Sequence, residues 1–457
     1  MFTDRTVLLK DNPVQRHYGI AVSDVDGDGQ FELFVAGFGS SNLVLKWDGR
    51  QFVDIADPVL ADNRRFAIGV AACDLDADGR EELYILNTDT FAGRKAMSDR
   101  LFDQIDGKWM DLFTYRSNAT ARNMTAGRSV ACVDRNGDGW YGFFVANYGG
   151  PMRLYELDDE GTLLDVAPQA GVDLVTGGRS VIAAPLLSEH VDIFAANENG
   201  PNFLFFNKGN GTYVEVAHEH GLEDPFEHGR GLTVLDANQD GMLDILYGNW
   251  DGPHRLFVRH ESGRFVNMAP PKLAAPSLIR TVIAADFDND GYEELFFNNI
   301  GEPNRLFGWR DGDWRPIPMG DAREPHGLGT GAAVGDFDGD GRLELLVAHG
   351  ESGRQPLSLY QTTDIGYNWL RILPLTRYGA PARGALVTLT TPARRQVRVI
   401  DAGSGYLCQM EPVAHFGLGL ENEVVAVTIR WPDGSEARIE HRGVNQLLTI
   451  PYRNQAV

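Results

Sequence analysis

An acidic motif of nine residues recurs along most of the chain and constrains its fold more than any other feature. The motif reads DFDGDGRLE at residues 336–344, and its six copies begin at Asp24, Asp74, Asp134, Asp236, Asp286 and Asp336. The steps between copies are 50, 60, 102, 50 and 50 residues, so the double step hides one more repeat, whose acidic loop has decayed within residues 177–200. A period of about fifty residues over seven units indicates a repeat architecture.

Each copy has the composition of a loop that binds a hard divalent cation. Acidic or amide side chains at positions 1, 3 and 5 bring oxygens to one centre, glycine at position 6 permits a sharp turn, position 7 offers its carbonyl, and position 9 adds an acid. This matches the first two-thirds of an EF-hand loop, but the residues after it favour a strand over a helix. One such motif is often only a solvated turn, whereas six copies in register predict calcium sites.

The apolar runs between the loops predict an all-β fold. Each repeat supplies a strand on either side of the acidic loop and two more after it, as at residues 43–47 and 52–56, which predicts a seven-bladed β-propeller with calcium-binding loops. The seventh repeat lacks a fourth strand, and MFTDRT at the N-terminus resembles it, so we expect this strand to close the last blade. We expect the propeller over residues 1–365, a small C-terminal β domain over 366–452 and a tail over 453–457.

Charge and cysteine content narrow the possible functions. The net charge of −23 disfavours nucleic acid as a partner because phosphates would be repelled, and much of this charge is expected to be metal-ligand charge. No apolar segment is long enough to span a membrane, and the N-terminus has no signal-peptide core, so a cytoplasmic location stays open. Cys73 and Cys132 precede acidic loops on apolar strands, and we expect both to be buried free thiols.

A second set of repeated residues is expected on the face opposite the acidic loops. Six residues before the first loop aspartate, or at the aligned position of the decayed repeat, several repeats carry arginine. Four guanidinium groups could converge on an anionic ligand, or each could tie its blade to a neighbour. The candidate ligand-binding residues on this face are Tyr18, Arg128, Arg179, Arg230, Arg280 and His228.

The C-terminal region carries motifs of a known family. RGALVTL at residues 383–389, GSGYLCQMEP at 403–412, HFGLG at 415–419 and RWPDG at 430–434 resemble the ASPIC/UnbV domain, and the repeats resemble FG-GAP/VCBS repeats. AGRSVACVDR, NENGPNFLF and GNWDGPHRL resemble the cartilage acidic protein family and its bacterial members. The resemblance implies a calcium-binding, usually extracellular interaction protein whose propeller is similar to the heads of integrin α-subunits.

The resemblance also implies the metal ligands. Side-chain ligands would be Asp24, Asp26, Asp28 and Glu32; Asp74, Asp76, Asp78 and Glu82; Asp236, Asn238, Asp240 and Asp244; Asp286, Asp288, Asp290 and Glu294; and Asp336, Asp338, Asp340 and Glu344. Carbonyl ligands would be Gln30, Arg80, Met242, Tyr292 and Arg342. These loops make five Ca²⁺ sites, and a weaker sixth is expected at Asp134, Asn136 and Asp138, because Gly142 replaces the position-9 acid. The chain ends at Val457 without the cysteine-rich growth-factor-like module of the animal proteins, so roles of that module are not expected to transfer.

Two function classes follow from these patterns. The first is an interaction protein with structural calcium that recognises a protein or a small anionic ligand on the face opposite the metal loops. The alternative is an enzyme of natural-product biosynthesis, of cyclase or alkylating type, because FG-GAP repeats also occur in a bacterial enzyme of cyclophane biosynthesis. In the enzyme, the arginines would hold an anionic substrate, with His228 or Tyr18 as proton carrier. The sequence predicts no oligomeric state.

Overall fold

The structure is a computed structural model, and it describes residues 1–363 and 365–452. The expected tail at 453–457 lies outside the described residues. Most of the described chain consists of β-strands, and its four α-helices span four residues each: α1 (Pro58–Ala61), α2 (Ala167–Ala170), α3 (Ala217–His220) and α4 (Pro271–Ala274). Short 3-10 helices cover Thr6–Leu8, Leu112–Thr114 and Asp321–Arg323. No helix in this part of the chain is long and apolar enough to cross a membrane.

The strands follow the predicted repeats. The N-terminal strand and the first three repeats contain β1 (Phe2–Asp4); β2 (His17–Ser23), β3 (Glu32–Gly37), β4 (Leu43–Trp47) and β5 (Phe52–Asp54); β6 (Ala67–Cys73), β7 (Glu82–Asn87), β8 (Arg100–Ile105) and β9 (Lys108–Asp111); and β10 (Gly127–Val133), β11 (Gly142–Pro151), β12 (Arg153–Leu157) and β13 (Leu163–Asp165). The other four repeats contain β14 (Val175–Ala184), β15 (Asp192–Asn197), β16 (Phe203–Asn207) and β17 (Tyr213–Glu215); β18 (Gly229–Leu235), β19 (Asp244–Asn249), β20 (Arg255–Arg259) and β21 (Phe265–Asn267); β22 (Ile279–Ala285), β23 (Glu294–Asn299), β24 (Arg305–Arg310) and β25 (Asp313–Pro316); and β26 (Gly329–Gly335), β27 (Glu344–His349) and β28 (Ser358–Thr362).

The repeats form antiparallel sheets arranged in a ring. Within each of the first six repeats the four strands pair in chain order, and in the seventh repeat β1 supplies the fourth strand by pairing with β28. The first strand of each repeat contacts the first strand of the next, and β26 contacts β2. The sheets of the third and fourth repeats are also joined by pairing between β11 and β14. The predicted all-β class with a propeller-like arrangement is therefore confirmed.

The core lies between neighbouring sheets. The first and second strands of the first two repeats are buried at nearly every position, because both of their faces are covered by adjacent repeats. Between the second and third repeats, for example, the ring of Tyr84 stacks on Tyr155 at 5.8 Å and tilts against Phe143 at 5.4 Å. All three side chains are fully buried. Contacts of this kind hold the ring together, because each sheet alone would expose an apolar face.

The C-terminal region has two sheets and a core of its own. Its strands are β29 (Asn368–Pro374), β30 (Leu386–Thr390), β31 (Arg395–Val399), β32 (Ala414–Gly419), β33 (Val424–Arg430), β34 (Glu436–Arg442) and β35 (Leu447–Ile450). One sheet has the order β32-β29-β35 and the other the order β31-β30-β33-β34. Leu370, Val387, Phe416 and Trp431 pack between them. The predicted boundary near residue 366 stays a prediction, since the two regions are in extensive contact.

A loop of the C-terminal region, residues 401–411, fills the centre of the ring. Its backbone bonds to first strands from five repeats. The bonds are Cys132 N to Ala402 O (2.6 Å), Leu232 N to Gly405 O (2.7 Å), Val70 N to Leu407 O (3.3 Å), Val22 N to Gln409 O (3.1 Å) and Glu411 N to Val334 O (3.3 Å). We call this segment the central loop. It satisfies backbone groups that would otherwise line an open channel.

Small residues on the first strands make room for the central loop. Five residues before the first loop aspartate, or at the aligned position in the fourth repeat, the chain carries Gly19, Gly69, Ser129, Ser180, Gly231, Thr281 and Gly331. A Cβ atom at Gly19 would lie 2.1 Å from the carbonyl oxygen of Leu407, and one at Gly331 would lie 2.9 Å from the Cys408 sulfur. Larger side chains at these positions would therefore expel the loop.

The expectation of two free thiols at Cys73 and Cys132 is wrong, because these residues form a disulfide with a Cα–Cα distance of 5.6 Å. Cys73 is the last residue of β6 and Cys132 the second-last residue of β10, and the first strands of adjacent repeats converge at the centre of the ring. Side chains that are 59 residues apart in sequence therefore come within bonding distance. The free cysteine in the described residues is Cys408, which is buried on the central loop.

Candidate metal loops and the opposite rim

The six acidic loops share one backbone geometry. In each loop the position-1 carboxylate accepts the N–H of the position-6 glycine, at 2.9 Å in the Asp24 loop and 3.2 Å in the Asp74 loop. The position-5 carboxylate accepts the N–H of position 7, at 2.8 to 3.0 Å. Positions 4 and 6 adopt left-handed φ, for example 61° at Ala77 and 93° at Gly79. Local hydrogen bonds thus bring the carboxylates of each loop together.

The position-9 acid begins the second strand and points back into the loop. Its carboxylate accepts the backbone N–H of position 2, at 2.8 Å from Val25 to Glu32 and at 3.0 Å from Phe287 to Glu294. These two acids and their counterparts in the Asp74, Asp236 and Asp336 loops are buried. A buried carboxylate normally requires a cation or several donors.

Four loops hold three carboxylate oxygens within 4.8 Å of one another among the described residues. The groups are Asp24, Asp26 and Glu32; Asp74, Asp76 and Asp78; Asp76, Glu82 and Asp103; Asp286, Asp288 and Asp290; and Asp336, Asp338 and Glu344. Asp103 was missed by sequence reasoning because it lies on the third strand of its repeat, far from the motif. Its signal is the register, which places it beside Glu82 because Leu83 pairs with Phe102.

The ionisation of these groups tests whether a cation fits. Burial, followed by the charges of neighbouring carboxylates, raises the pKa of Asp74 to about 7. Burial likewise raises the pKa of Glu32 to about 7 and that of Asp286 to about 8. One oxygen of each of these three side chains is buried without a hydrogen-bond partner in the described residues. An all-oxygen donor set with excess negative charge and unused lone pairs fits a hard divalent cation such as Ca²⁺.

Basic side chains partly neutralise some of these loops. The Lys46 ammonium contacts Asp26, lies 2.6 Å from Asp28 and is 3.6 Å from Glu32. The Arg310 guanidinium likewise neutralises part of the charge of the Asp286 loop, and it lies 2.8 Å from the Asp288 carboxylate and 3.2 Å from the Glu294 carboxylate. Both basic side chains belong to the third strand of their repeat, so they approach the acidic loop from the side.

The loops of the third, fourth and fifth repeats differ. In the third repeat Glu156 lies across the strand pair from Gly142 but is held by Arg135 at 2.5 and 2.8 Å. In the fourth, Asp192 keeps the position of the ninth-residue acid and accepts three backbone N–H groups, from Leu187, Ser188 and Asn207. In the fifth, the Asn238 amide donates to Asp240 at 2.8 Å. In the decayed loop of the fourth repeat, backbone hydrogen bonds thus satisfy the remaining carboxylate.

The C-terminal region covers the acidic loops and donates hydrogen bonds to the position-1 carboxylate of two of them. Gly417 N donates to the Asp286 carboxylate at 2.9 Å, and the Arg371 guanidinium donates to the Asp336 carboxylate at 3.0 Å. Burial lowers the pKa of His415 well below its usual range, and its Nε2 lies 2.6 Å from the Asn289 side-chain oxygen. The geometry of these two loops is therefore coupled to the docking of the C-terminal region.

The four predicted arginines lie on the opposite rim of the ring, where all four side chains are buried. Arg179 and Arg230 both bind Glu198, the latter at 2.9 Å, while Arg280 lies 3.0 Å from Glu351. Arg128 donates to the carbonyl of Phe91. Arg128, Arg230 and Arg280 each reach a residue of a neighbouring repeat, which is the bracing role considered above.

Aromatic rings cover these guanidinium groups. Arg179 lies 4.6 Å from the ring centre of Tyr148 and 5.0 Å from that of Phe91. Trp250 lies 4.0 Å from Arg280 and 5.7 Å from Arg230. Cation–π contacts of this kind stabilise a charge that is removed from water.

The turn beside the rim is capped by a repeated side chain. The donor is the backbone N–H of the last residue of the second strand, which is Gly37, Asn197 or Asn299 in three repeats. The acceptor is the side-chain oxygen of the asparagine five residues later, which is Asn42, Asn202 or Asn304. In the fifth repeat, His254 takes this role and its Nδ1 accepts the Asn249 N–H at 3.1 Å. Burial lowers the pKa of His254 to about 3, so the imidazole is neutral.

Tyr406, at the tip of the central loop, faces the arginines from inside the ring. Burial would raise the pKa of its phenol, but Arg179, Arg230, Arg128 and Arg280 outweigh this effect and lower the pKa below its usual value. The channel mouth that sequence reasoning left open is therefore filled by the chain itself.

The other two candidate residues lie beside this group. Burial raises the pKa of Tyr18, with Glu351 and Tyr406 as further causes. The His228 imidazole is half-exposed and lies 3.9 Å from the Glu198 carboxylate. The structure thus brings the six candidate residues to one rim.

Comparison with known proteins identifies both parts of the chain. A family model described as "ASPIC and UnbV" matches residues 376–457, and one described as "FG-GAP-like repeat" matches residues 24–85, 189–247, 236–297 and 286–347. "Cartilage acidic protein 1" of Homo sapiens is 48% identical over 482 residues, which cover 96% of this chain and 73% of that protein. The Xenopus tropicalis protein of the same name is 47% identical over 494 residues, covering 98% and 76%, and the Mus musculus protein is 48% identical, covering 96% and 74%.

Proposed function

Because the chain belongs to the cartilage acidic protein family, we propose that it is a calcium-stabilised propeller protein that acts by binding a partner. Calcium is structural in this proposal. The observation that supports it most is the set of three-carboxylate groups in four loops, in three of which a buried carboxylate oxygen lacks a hydrogen-bond partner and a pKa is raised. Each bound ion would neutralise neighbouring carboxylates whose mutual repulsion otherwise destabilises the folded protein.

The partner would bind the arginine rim. The C-terminal region occupies the metal-loop face and the central loop fills the channel, which makes the rim the remaining face of the ring. It presents two exposed phenylalanines, Phe91 and Phe226, of which 63% and 90% of the surface is accessible. Exposed aromatic side chains are frequent anchors of protein interfaces.

An extracellular location is part of the proposal. The Cys73–Cys132 disulfide supports it, because disulfides persist in oxidising compartments. Calcium loops of extracellular type bind with dissociation constants of about 10⁻⁴ to 10⁻³ M and would be filled there. The enzymatic alternative receives less support, because Tyr406 lies among the arginines that would hold its substrate.

A calcium titration tests the structural role. Removing calcium with a chelator should lower the melting temperature, and adding it back should restore stability by about 1.4 kcal/mol per site at a tenfold excess over the dissociation constant. Asp76→Asn should weaken this response because Asp76 belongs to two carboxylate groups. Asp313→Asn, at an exposed acid outside the loops, is the matched control. A melting temperature that stays unchanged when the chelator is added would refute the claim that calcium is structural.

The binding face is tested separately. Partners captured by the calcium-loaded protein should be lost with Phe91→Ser and Phe226→Ser but retained with Leu420→Ser. Leu420 is 83% exposed and follows β32 in the C-terminal region, so it serves as the control. Equal capture by all three variants would place recognition elsewhere.

A further inference from the structure

The third-strand residue that lies opposite the position-9 acid differs in charge from one acidic loop to the next. In the five loops that keep a position-9 acid, strand pairing places there, in chain order, Lys46, Asp103, Val258, Gly308 and Gln361. The backbone geometry of these loops is otherwise shared. One register position therefore gives each loop a different charge beside its buried acid.

In the first and sixth repeats, a basic side chain contacts three carboxylates of its loop at once. The Lys46 ammonium contacts the carboxylates at positions 3, 5 and 9, the last two at 2.6 and 3.6 Å. The Arg310 guanidinium, two residues beyond Gly308 on the same strand, contacts the same three positions at 2.8, 3.2 and 3.2 Å. A Cβ atom at Gly308 would lie 3.3 Å from the guanidinium carbon, so the glycine makes room for this approach. Because the same carboxylates are the expected calcium ligands, calcium must displace each basic group or bind against its charge.

In the second repeat, the third strand adds a carboxylate instead. An oxygen of Asp103 lies within 4.8 Å of oxygens of Asp76 and Glu82, and both Asp103 and Glu82 are buried. The Asp74 Oδ1 atom of the same loop is also buried and has no hydrogen-bond partner in the described residues. Arg80, the basic residue of this loop, has 53% of its side chain exposed. The Asp74 loop therefore has one more carboxylate than its motif supplies and no tethered base at the aligned position.

The seventh repeat has a neutral side chain at the aligned position. Gln361 Nε2 donates to the Glu344 carboxylate at 2.8 Å and lies 3.3 and 3.4 Å from the carboxylates of Asp338 and Asp340. These acids again occupy positions 9, 3 and 5. The amide satisfies the same oxygens as Lys46 does but adds no charge, so the Asp336 loop is the reference for the charged cases.

We propose that this third-strand side chain sets the calcium affinity of its loop, with Asp103 as an additional ligand and Lys46 and Arg310 as tethered cations that compete with calcium. The proposal rests on the proposed role of calcium and deepens it by ordering the sites. The number of charged ligands tunes the calcium affinity of oxygen cages over several orders of magnitude, so a difference of one charge separates otherwise similar loops.

The order of filling follows from what each loop holds without calcium. Lys46 and Arg310 already neutralise part of the carboxylate charge of the Asp24 and Asp286 loops, so a bound ion gains less there. In the Asp74 loop, neighbouring carboxylates repel one another, and a bound ion relieves that repulsion. Calcium therefore fills the Asp74 loop first, and it fills the Asp24 and Asp286 loops last, at about millimolar concentration.

Exchange of the aligned side chains tests the proposal. The full chain, freed of calcium, is titrated with calcium chloride at neutral pH in a calorimeter, and native mass spectrometry counts the ions bound at each step. Lys46→Gln should strengthen one weak site about tenfold, and Gln361→Lys should weaken one site about tenfold. Asp103→Asn should weaken binding of the first ion by a similar factor. Lys108→Gln, at an exposed lysine outside the loops, changes the net charge by the same amount as Lys46→Gln and should leave the titration unchanged.

Two results would overturn the proposal. The first is a titration of Lys46→Gln that matches that of Lys108→Gln, and the second is a first ion whose affinity is the same in Asp103→Asn as in the unmodified protein. Gln361→Lys reports on a different repeat, so the outcome does not depend on the folding of one variant. Either result would leave structural calcium standing, because the unmodified protein would still bind its ions. An unmodified protein that takes up no calcium would instead refute the proposed role of calcium itself, and the order of the sites with it.

Discussion

Replacement of Arg383 is the sharpest test of how the C-terminal region docks on the propeller. Its buried guanidinium binds Glu81 at 2.5 and 3.1 Å and donates to the carbonyl of Val22 at 2.8 Å. It also donates to the carbonyls of Asp401 and Met410, at 2.8 and 3.3 Å, which are at the two ends of the central loop. One side chain thus ties both ends of the loop to two repeats.

The expected cost follows from what the replacement leaves behind. In Arg383→Met, the buried Glu81 carboxylate keeps only the Ser23 hydroxyl, at 2.8 Å, as an identified donor. Breaking a buried ion pair from one side typically costs about 3 to 5 kcal/mol, chiefly because a charge stays buried without a partner. Combining Arg383→Met with Glu81→Gln removes that charge and should recover a large part of the loss.

Two measurements check this prediction. Urea unfolding, followed by tryptophan fluorescence, reports the free energy of unfolding. Thiol labelling of Cys408 reports opening of the central loop, because Cys408 is buried there while Cys73 and Cys132 form a disulfide. A loss of 3 to 5 kcal/mol should accelerate labelling by about a hundredfold to a few thousandfold. Unchanged labelling, or a double variant no more stable than Arg383→Met, would refute the reasoning.

Other predictions concern single elements of the fold. His254 is neutral in the folded protein and is protonated more readily when unfolded, so its contribution to stability is lost as pH falls from about 6.5 towards its folded pKa of about 3. Three other repeats carry asparagine at this position. In urea unfolding, the free energy of unfolding of His254→Asn should therefore rise by about 3 kcal/mol relative to that of the unmodified protein as the pH falls from about 7 to about 4. A difference that stays constant with pH would contradict this. Deleting residues 1–6 removes β1 and the contact of Phe2 with Phe287 at 4.9 Å, so the melting temperature should fall sharply, while Val7→Ser at an exposed site should leave it nearly unchanged. Reducing the Cys73–Cys132 disulfide should lower stability by about 2 to 4 kcal/mol, and an identical melt with and without reductant would show that the bond carries no such contribution.

The sequence predicts what is local in this fold. An acidic loop with glycine at position 6 folds on itself through bonds such as Gly29 N to Asp24, so its position fixes the strands on either side. The same regularity places the arginines on one rim, because a fixed offset from the loop is a fixed position on the first strand.

The features that sequence reasoning missed are tertiary. Filling of the channel by the central loop depends on contacts between segments hundreds of residues apart, such as Gln409 with Ala72. Its only trace in the sequence is the row of small residues at Gly19, Gly69 and their equivalents, which has no meaning until the loop is in place. The disulfide between Cys73 and Cys132 and the carboxylate of Asp103 likewise depend on how neighbouring strands meet.

Elemental analysis of the purified protein in millimolar calcium tests the central claim most directly. The account predicts about five bound calcium ions per chain, for the five loops with a position-9 acid, and one ion fewer in Asp76→Asn. A count clearly below about five ions per chain, or the same count in Asp76→Asn as in the unmodified protein, would contradict the claim that the acidic loops are built around calcium.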